Sequence, residues 1–156
     1  MNYMDIAIEE AYKAFNNGEI PIGAVIVKNG NIIGKGYNKK EKFNDPTCHA
    51  EILAIKESCK SIGDWRLNGC ELYVTLEPCP MCAGAILQSR ISKIHIGTFN
   101  KDMGACGSVV NLIDNRSLNS FVNVIWDYDN RCSKLLKDFF HFRRKDEKYK
   151  KEFVLD

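Results

Sequence analysis

Hydrophobic and polar residues alternate along the chain with two different periods, and each change of period marks a predicted element. Apolar residues recur every three or four positions over Tyr3–Asn16, which predicts an amphipathic helix ending at Asn17-Gly18. Two apolar runs then flank Asn29-Gly30, a strong signal for a tight hairpin, so residues 22–27 and 32–37 are predicted strands. The predicted apolar stripe of the first helix comprises Met4, Ala7, Ile8, Ala11, Tyr12 and Phe15.

The rest of the chain alternates short apolar runs with helical patterns. Helices are predicted from Ala50 onward (apolar residues at 52, 53, 55 and 59), over 81–87 and over 130–150, and strands over 71–75, 93–97 and 122–126. Strands that alternate with helices imply right-handed parallel crossovers. The pattern predicts one α/β domain over residues 1–156, a three-layer α/β/α sandwich around a five-stranded mixed sheet.

Length and cysteine content fit a protein of a reducing compartment. A chain of 156 residues can bury about 68–70% of its unfolded surface, so it needs no disulfides. Its seven cysteines are an odd number without secretory spacing. The first residues lack the basic start and apolar segment of a signal peptide, and no apolar stretch approaches the roughly 20 residues of a membrane span. We therefore expect a cytoplasmic protein that does not enter a membrane.

Charge is unevenly distributed. The net charge is only +2, yet residues 143–151 contain six basic and two acidic residues. Phe139, Phe140 and Phe142 precede this segment, so the predicted last helix could contact an RNA backbone through Arg143 and Arg144 while rings stack on unpaired bases. The alternative is a solvated helix face with the phenylalanines in the core.

A histidine, a glutamate and two cysteines carry the clearest chemical signal: His49 and Glu51, then Cys79 and Cys82 about thirty residues later. An imidazole and two thiolates give zinc three soft ligands, one fewer than a closed structural site. The fourth position would hold a water, whose pKa zinc lowers toward about 7. Glu51 would remain free to move protons. This set suits the hydrolysis of an amino group from an aromatic ring.

The spacing of these residues also predicts where they lie on helices. Two residues along a helix are about 200° apart, so His49 and Glu51 cannot share a helix face and His49 is expected at the helix N-terminus. Cys79 and Cys82 begin a second helical run behind Pro78 and Pro80. A thiolate is favoured at a helix N-terminus. Two helix N-termini are therefore expected to face one ion.

Three other interpretations compete with a catalytic zinc site. Cys48 could complete a closed structural site with His49, Cys79 and Cys82. Cys79 and Cys82 could form a redox dithiol, which would leave His49 and Glu51 without a role. The cysteines could simply be buried apolar residues, and this is the expectation for the four remaining ones, Cys59, Cys70, Cys106 and Cys132.

Residues 45–51, 73–85 and 104–108 together resemble the bacterial tRNA-specific adenosine deaminases. The resemblance covers essentially the whole chain and continues into the aromatic and basic residues 138–144. The zinc motif alone specifies only the cytidine deaminase-like superfamily. The C-terminal helix and the Gly-Ala-x-Gly-Ser loop narrow it to the tRNA-editing members.

The resemblance implies hydrolytic conversion of adenosine to inosine at wobble position 34 of tRNA anticodons, with one zinc ion per chain. His49, Cys79 and Cys82 match the zinc ligands, and Glu51 matches the proton shuttle. Asn38 matches a residue whose amide hydrogen-bonds the flipped base, and the backbone N–H of Ala50 is expected to do likewise. The alternative for Asn38 is a turn residue that ends a strand. Members of this family are typically homodimers whose two subunits both contact the tRNA, so the resemblance implies a homodimer here.

Asn100 departs from the family pattern, because relatives commonly carry aspartate there, near the ribose of the target nucleotide. A carboxylate accepts a stronger hydrogen bond from a 2′-hydroxyl than a neutral amide does. We therefore expect this chain to tolerate deoxyribose at the target position better than an Asn100→Asp variant, unless Asp102 takes the place of the carboxylate.

Two other functions remain open on the same scaffold. A deaminase of free guanine or cytosine would use the same zinc chemistry but would not need the basic aromatic tail. A non-catalytic zinc-stabilised RNA-binding subunit is disfavoured by the presence of Glu51.

Overall fold

A five-stranded mixed sheet lies between two layers of helices in the computed structural model, which describes residues 1–153 apart from the side chains of Ser120 and of residues 149–153. The strand order is β2-β1-β3-β4-β7, with β1 antiparallel to β2 and β3, and with β3, β4 and β7 parallel. This confirms the predicted three-layer sandwich. The elements are α1 (Tyr3–Asn16), β1 (Gly23–Lys28), β2 (Asn31–Tyr37), α2 (Ala50–Ile62), β3 (Cys70–Leu76), α3 (Pro80–Gln88), β4 (Lys93–Thr98), β5 (Asp114–Asn115), β6 (Ser120–Phe121), β7 (Asn123–Trp126) and α4 (Asn130–Phe153).

Helix α1 packs on one face of the sheet through small and apolar residues. Met4, Ala7, Ile8 and Ala11 are buried as predicted. Tyr12 is not, because its ring is 52% exposed; placing it in the apolar stripe was wrong, since Ala14 continues the buried face instead.

Helix α2 lies unusually close to β2 on the opposite face of the sheet. A Cβ atom added at Gly34 or Gly36 would overlap backbone atoms of α2, so only glycine permits this approach. The buried face of α2 accordingly consists of Ala50, Glu51, Ala54 and Ser58. The larger apolar residues that predict the helix, at 52, 53, 55 and 59, are only partly buried.

One small hairpin was not predicted. Strands β5 and β6 have two residues each and pair antiparallel on either side of a short 3₁₀ helix, Arg116–Leu118. Segments this short carry no readable period.

The carboxyl ends of β3 and β4 meet at one edge of the sheet, where sites in parallel α/β sheets commonly form. The segment after β3 leads into α3, and a long loop follows β4; we call residues 99–110 the β4 loop. No helix within residues 1–153 is long and apolar enough to cross a membrane.

Candidate active site

His49 occupies the N-cap of α2, with extended backbone angles (φ −76°, ψ 156°). Its side chain makes no capping hydrogen bond. Because the residue stands just outside the helix, its imidazole is free to turn toward the neighbouring helix α3. This confirms the expected position of the histidine at a helix start.

Cys79 is the N-cap of α3, and Pro80 fills the first helical position, where a missing N–H costs nothing. The Nδ1 atom of His49 lies 3.6 Å from Cys79 Sγ and 3.5 Å from Cys82 Sγ. Tetrahedral zinc, with Zn–S of about 2.3 Å and Zn–N of about 2.0–2.1 Å, requires N···S separations of about 3.6 Å. The three side chains therefore form a site that fits one zinc ion.

The two thiols have opposite pKa shifts, and the lowered one favours a bound cation. The hydrogen bond from Cys82, with a smaller contribution from His49, lowers the pKa of Cys79 to about 4. Donation of that hydrogen bond and burial raise the pKa of Cys82. Zinc binds thiolates and releases their protons, so the lowered pKa of the Cys79 thiol favours binding of the metal.

Cys48 does not join the cluster. Among the described residues, the group able to hold a metal consists of His49, Cys79 and Cys82. Cys48 is buried, and burial together with a hydrogen bond to Asp45 raises the pKa of its thiol. The closed four-ligand alternative therefore lacks its fourth ligand. All seven cysteines are free, and Cys70, Cys106 and Cys132 are buried as expected, whereas Cys59 is only partly buried.

Glu51 lies in the first turn of α2, is only 4% exposed, and hydrogen-bonds to Cys82. Burial raises the pKa of its carboxyl group to about 7. A carboxyl with this pKa can both accept and donate a proton near neutral pH. The redox-dithiol alternative gives no role to a buried acid in this place.

Asn38 and Ala50 lie on either side of the segment that precedes His49. Asn38 is buried; its Nδ2 donates to Ile20 O at 3.3 Å and its Oδ1 accepts from Lys40 N at 3.1 Å. These contacts are those of a turn residue, although the amide has a second N–H available. Ala50 is the first residue of α2, so its N–H belongs to the first turn, which lacks intrahelical acceptors.

Asn100 caps a turn in the β4 loop. Its Oδ1 accepts from Asp102 N at 3.2 Å and Met103 N at 3.1 Å. The side-chain oxygen is therefore already engaged within the loop, while Asp102 is exposed. An aspartate at position 100 could keep both turn bonds with one oxygen and present the other to a ligand.

Two buried glutamates that the sequence analysis missed hold the loops beside the site. Glu77 is 1% exposed and accepts hydrogen bonds from Asn100 N and Cys106 N at 3.0 Å, Ser108 N at 3.1 Å, and Ser108 Oγ. Ala105 N donates to Pro78 O at 2.9 Å, which ties the same loop next to Cys79. A Cβ at Gly104 would overlap the Glu77 carboxylate, so that loop position requires glycine.

Glu19 plays the equivalent part for the loop before His49. It is 1% exposed and accepts from Glu41 N at 2.8 Å and Lys42 N at 3.1 Å. Glu19 has no chemistry-bearing residues near it in sequence. The only signal in the sequence for Glu77 was its place directly before Pro78-Cys79.

Helix α4 buries one of the predicted RNA-contacting residues and exposes the other three. Phe139 is 7% exposed and packs edge-on against Phe15 with ring centroids 5.7 Å apart, so its ring belongs to the core and is not available to stack on a base. Phe140, Arg143 and Arg144 are exposed. The expected role of Phe139 is therefore corrected. The side chains of residues 149–151, the last part of the predicted basic segment, lie outside the described residues.

Comparison with known proteins agrees with this site. Residues 1–98 match the family described as the cytidine and deoxycytidylate deaminase zinc-binding region. The chain is 47% identical over 140 residues to the tRNA-specific adenosine deaminase of Aquifex aeolicus, covering 88% of this chain and 91% of that protein. It is also similar to a solved structure from work on A-to-I editing by tRNA:A34 deaminases, with TM-score 0.82 and 37% identity over 86% of this chain and 98% of that one.

A solved guanine deaminase of Bacillus subtilis shares the fold over a smaller part, with TM-score 0.62 and 43% identity over 65% of this chain and 68% of that one. The fold and the three-ligand centre thus define a zinc-dependent deaminase of the cytidine deaminase-like class. Within that class, the tRNA-specific adenosine deaminase of Haemophilus influenzae is 45% identical over 153 residues, which cover 97% of this chain and 88% of that protein. The chain belongs to the tRNA-specific adenosine deaminase family.

Proposed function

We propose that this protein converts adenosine to inosine at wobble position 34 of tRNA anticodons, with one zinc ion per chain. The observation that carries the proposal is a buried Glu51 beside the three zinc ligands, in a chain similar along nearly its whole length to tRNA-specific adenosine deaminases.

The side chains divide the chemistry of this reaction among them. His49, Cys79 and Cys82 would hold the zinc ion, which would make a water acidic enough to lose a proton near pH 7. Glu51 takes a proton from the water that attacks C6 of adenine and delivers it to N1; it then takes the second proton from the oxygen now bound to C6 and gives it to the departing amino group. The C6–N bond breaks, ammonia leaves, and the C6 oxygen remains as the inosine carbonyl. The N–H of Ala50 and the amide of Asn38 are proposed to hold the base.

The exposed part of α4 is proposed to bind the anticodon stem-loop. Arg143 and Arg144 stand on a helix surface without a carboxylate within 4 Å among the described residues, so their charges are available to phosphates. Phe140, 41% exposed, can reach a base, whereas the buried Phe139 cannot. Asn100 is proposed to face the ribose.

The enzyme is proposed to be a cytoplasmic homodimer. Seven free cysteines support a reducing compartment. A groove of about 840 Å³ runs between α3 and the segment that carries the β5–β6 hairpin. Trp65, Leu118 and Phe121 line this groove and are each half or more exposed, which supports its coverage by a second subunit. Light scattering would test this. The wild type is expected to be a dimer and the Leu118→Asp variant a monomer.

A comparison of three substrates tests the proposed function against the free-base alternative. Ammonia release is measured from tRNA, guanine and cytosine supplied separately to the zinc-loaded protein. We expect release from tRNA alone. Efficient release from guanine with none from tRNA would replace the proposal by a free-base deaminase, and no release from any substrate would favour the non-catalytic RNA-binding subunit.

A further inference from the structure

The loop between β2 and α2 combines positive charge with an exposed ring beside the zinc ligand. We call residues 39–47 the lysine loop after Lys39, Lys40 and Lys42. Lys42 and Phe43 are exposed, the phenylalanine at 52%, and the other two lysines are half-buried.

The ammonium groups of Lys39 and Lys42 lie over aromatic rings. The Lys39 Nζ lies 4.5 Å from the ring centroid of Tyr37 and 5.7 Å from that of Phe43, and the Lys42 Nζ lies 5.9 Å from that of Phe43. No carboxylate among the described residues forms an ion pair with Lys39, Lys40 or Lys42. Their charges therefore remain available to an external anion.

The loop is closed and anchored next to the site. Lys39 N donates to Cys48 O at 3.1 Å, which joins the two ends of the loop one residue before His49. Phe43 N donates to Lys39 O at 3.1 Å, and the buried Glu19 carboxylate accepts from Glu41 N and Lys42 N. Because the backbone is fixed before any ligand arrives, binding here costs little ordering entropy.

The acidic residues of the lysine loop do not neutralise its positive charge. Asp45 turns its carboxylate toward the Thr47 N–H and hydroxyl, 2.8 and 2.7 Å away. Glu41 is the remaining exposed acid, and it lies between two lysines in sequence. Lysines around an exposed ring form a surface typical of single-stranded nucleic-acid binding, in which phosphates meet the charges and a base stacks on the ring.

We infer that the lysine loop binds the single-stranded anticodon loop of the tRNA, with Lys39 and Lys42 on phosphates and the Phe43 ring stacked on an unpaired base next to the edited nucleotide. This inference rests on the proposed function. It assigns a second RNA-binding surface that is separate in sequence from α4 and that adjoins His49 directly.

Binding of an anticodon stem-loop with inosine at position 34 to the zinc-loaded full chain tests the inference, because the product cannot be deaminated during the measurement. Phe43→Leu should weaken binding about tenfold, within the contribution of one base–aromatic stack. Phe43→Tyr keeps the ring and should bind like wild type. Lys42→Ala should weaken binding and reduce the slope of log affinity against log salt by about 0.7, the value for one phosphate contact.

Lys60→Ala is the matched control, since Lys60 is an exposed lysine near the C-terminal end of α2, about 16 Å along the helix from His49. It should change neither affinity nor slope, and all variants should keep their zinc. Affinities of Phe43→Leu and Lys42→Ala within twofold of wild type would overturn the inference while the proposed function stood. A wild type that neither binds this stem-loop nor edits one with adenosine at position 34 would overturn both.

Discussion

Replacing Glu77 with glutamine should loosen the β4 loop from the zinc site. The carboxylate accepts four hydrogen bonds, from the N–H groups of Asn100, Cys106 and Ser108 and from the Ser108 hydroxyl. Glutamine has nearly the same shape but only one accepting oxygen, together with an NH₂ group that donates. The substitution therefore changes hydrogen bonding with little change in volume.

The cost follows from counting donors. The glutamine oxygen can keep two of the N–H groups, and the Ser108 hydroxyl can rotate to accept from the NH₂ group. One backbone N–H still faces a donor, and an unsatisfied buried donor costs about 1–3 kcal/mol. The surviving bonds also lose the assistance of the negative charge. We expect the free energy of unfolding to fall by about 2–4 kcal/mol, leaving a folded enzyme.

Two measurements on the zinc-loaded variant check this expectation. Urea unfolding reports the loss of stability. Amide hydrogen exchange should speed up at Asn100, Cys106 and Ser108. Glu19→Gln is the matched control, because that equally buried carboxylate holds Glu41 and Lys42 instead, so exchange should rise there and stay slow in the β4 loop. Wild-type stability and unchanged exchange in Glu77→Gln would refute the role assigned to Glu77.

Three further predictions concern the metal, the tail and the ribose. Glu51→Ala should lose at least a hundredfold in deamination rate while keeping one zinc per chain by elemental analysis, and Cys48→Ala should also keep it; an empty site in either would make that residue a ligand. Removal of residues from Arg143 onward should weaken tRNA binding and flatten its salt dependence, and equal binding by both forms would deny α4 a role. Asn100→Asp should raise the ratio of ribo- to deoxyadenosine deamination in an anticodon stem-loop, because one carboxylate oxygen stays free for the 2′-hydroxyl. An equal ratio in wild type and variant contradicts this, and a ratio that collapses only in Asp102→Ala assigns the role to Asp102.

The zinc site could be predicted from the sequence because its ligands carry distinctive chemistry at a spacing that helix geometry restricts. His49 and Glu51 cannot share a helix face, and this constraint alone placed the histidine at a helix start. Cys79 was placed at the start of α3 by the helical run that follows Pro78 and Pro80. The two helix starts meet because β2 and β3 run in the same direction, each antiparallel to β1, so α2 and α3 begin at the same edge of the sheet.

Packing between distant segments could not be predicted in the same way. Gly34 and Gly36 on β2 determine which face of α2 is buried. Because glycine has no side chain, this contact produces no hydrophobic period in the sequence. By contrast, helical spacing from the buried Cys132 and Leu135 does distinguish the buried Phe139 from the exposed Phe140 beside it. The sequence alone does not show that Glu77 is buried, because the β4 loop that covers it comes later in the chain.

Sequencing of anticodon position 34 tests the central claim most directly. An unmodified tRNA with adenosine at that position is incubated with zinc-loaded wild type and, in parallel, with zinc-loaded Glu51→Ala. We predict inosine, read as guanosine, at position 34 with wild type and unchanged adenosine with the variant. Adenosine retained at position 34 with the wild-type protein, under conditions in which its zinc is present, would contradict the proposed function.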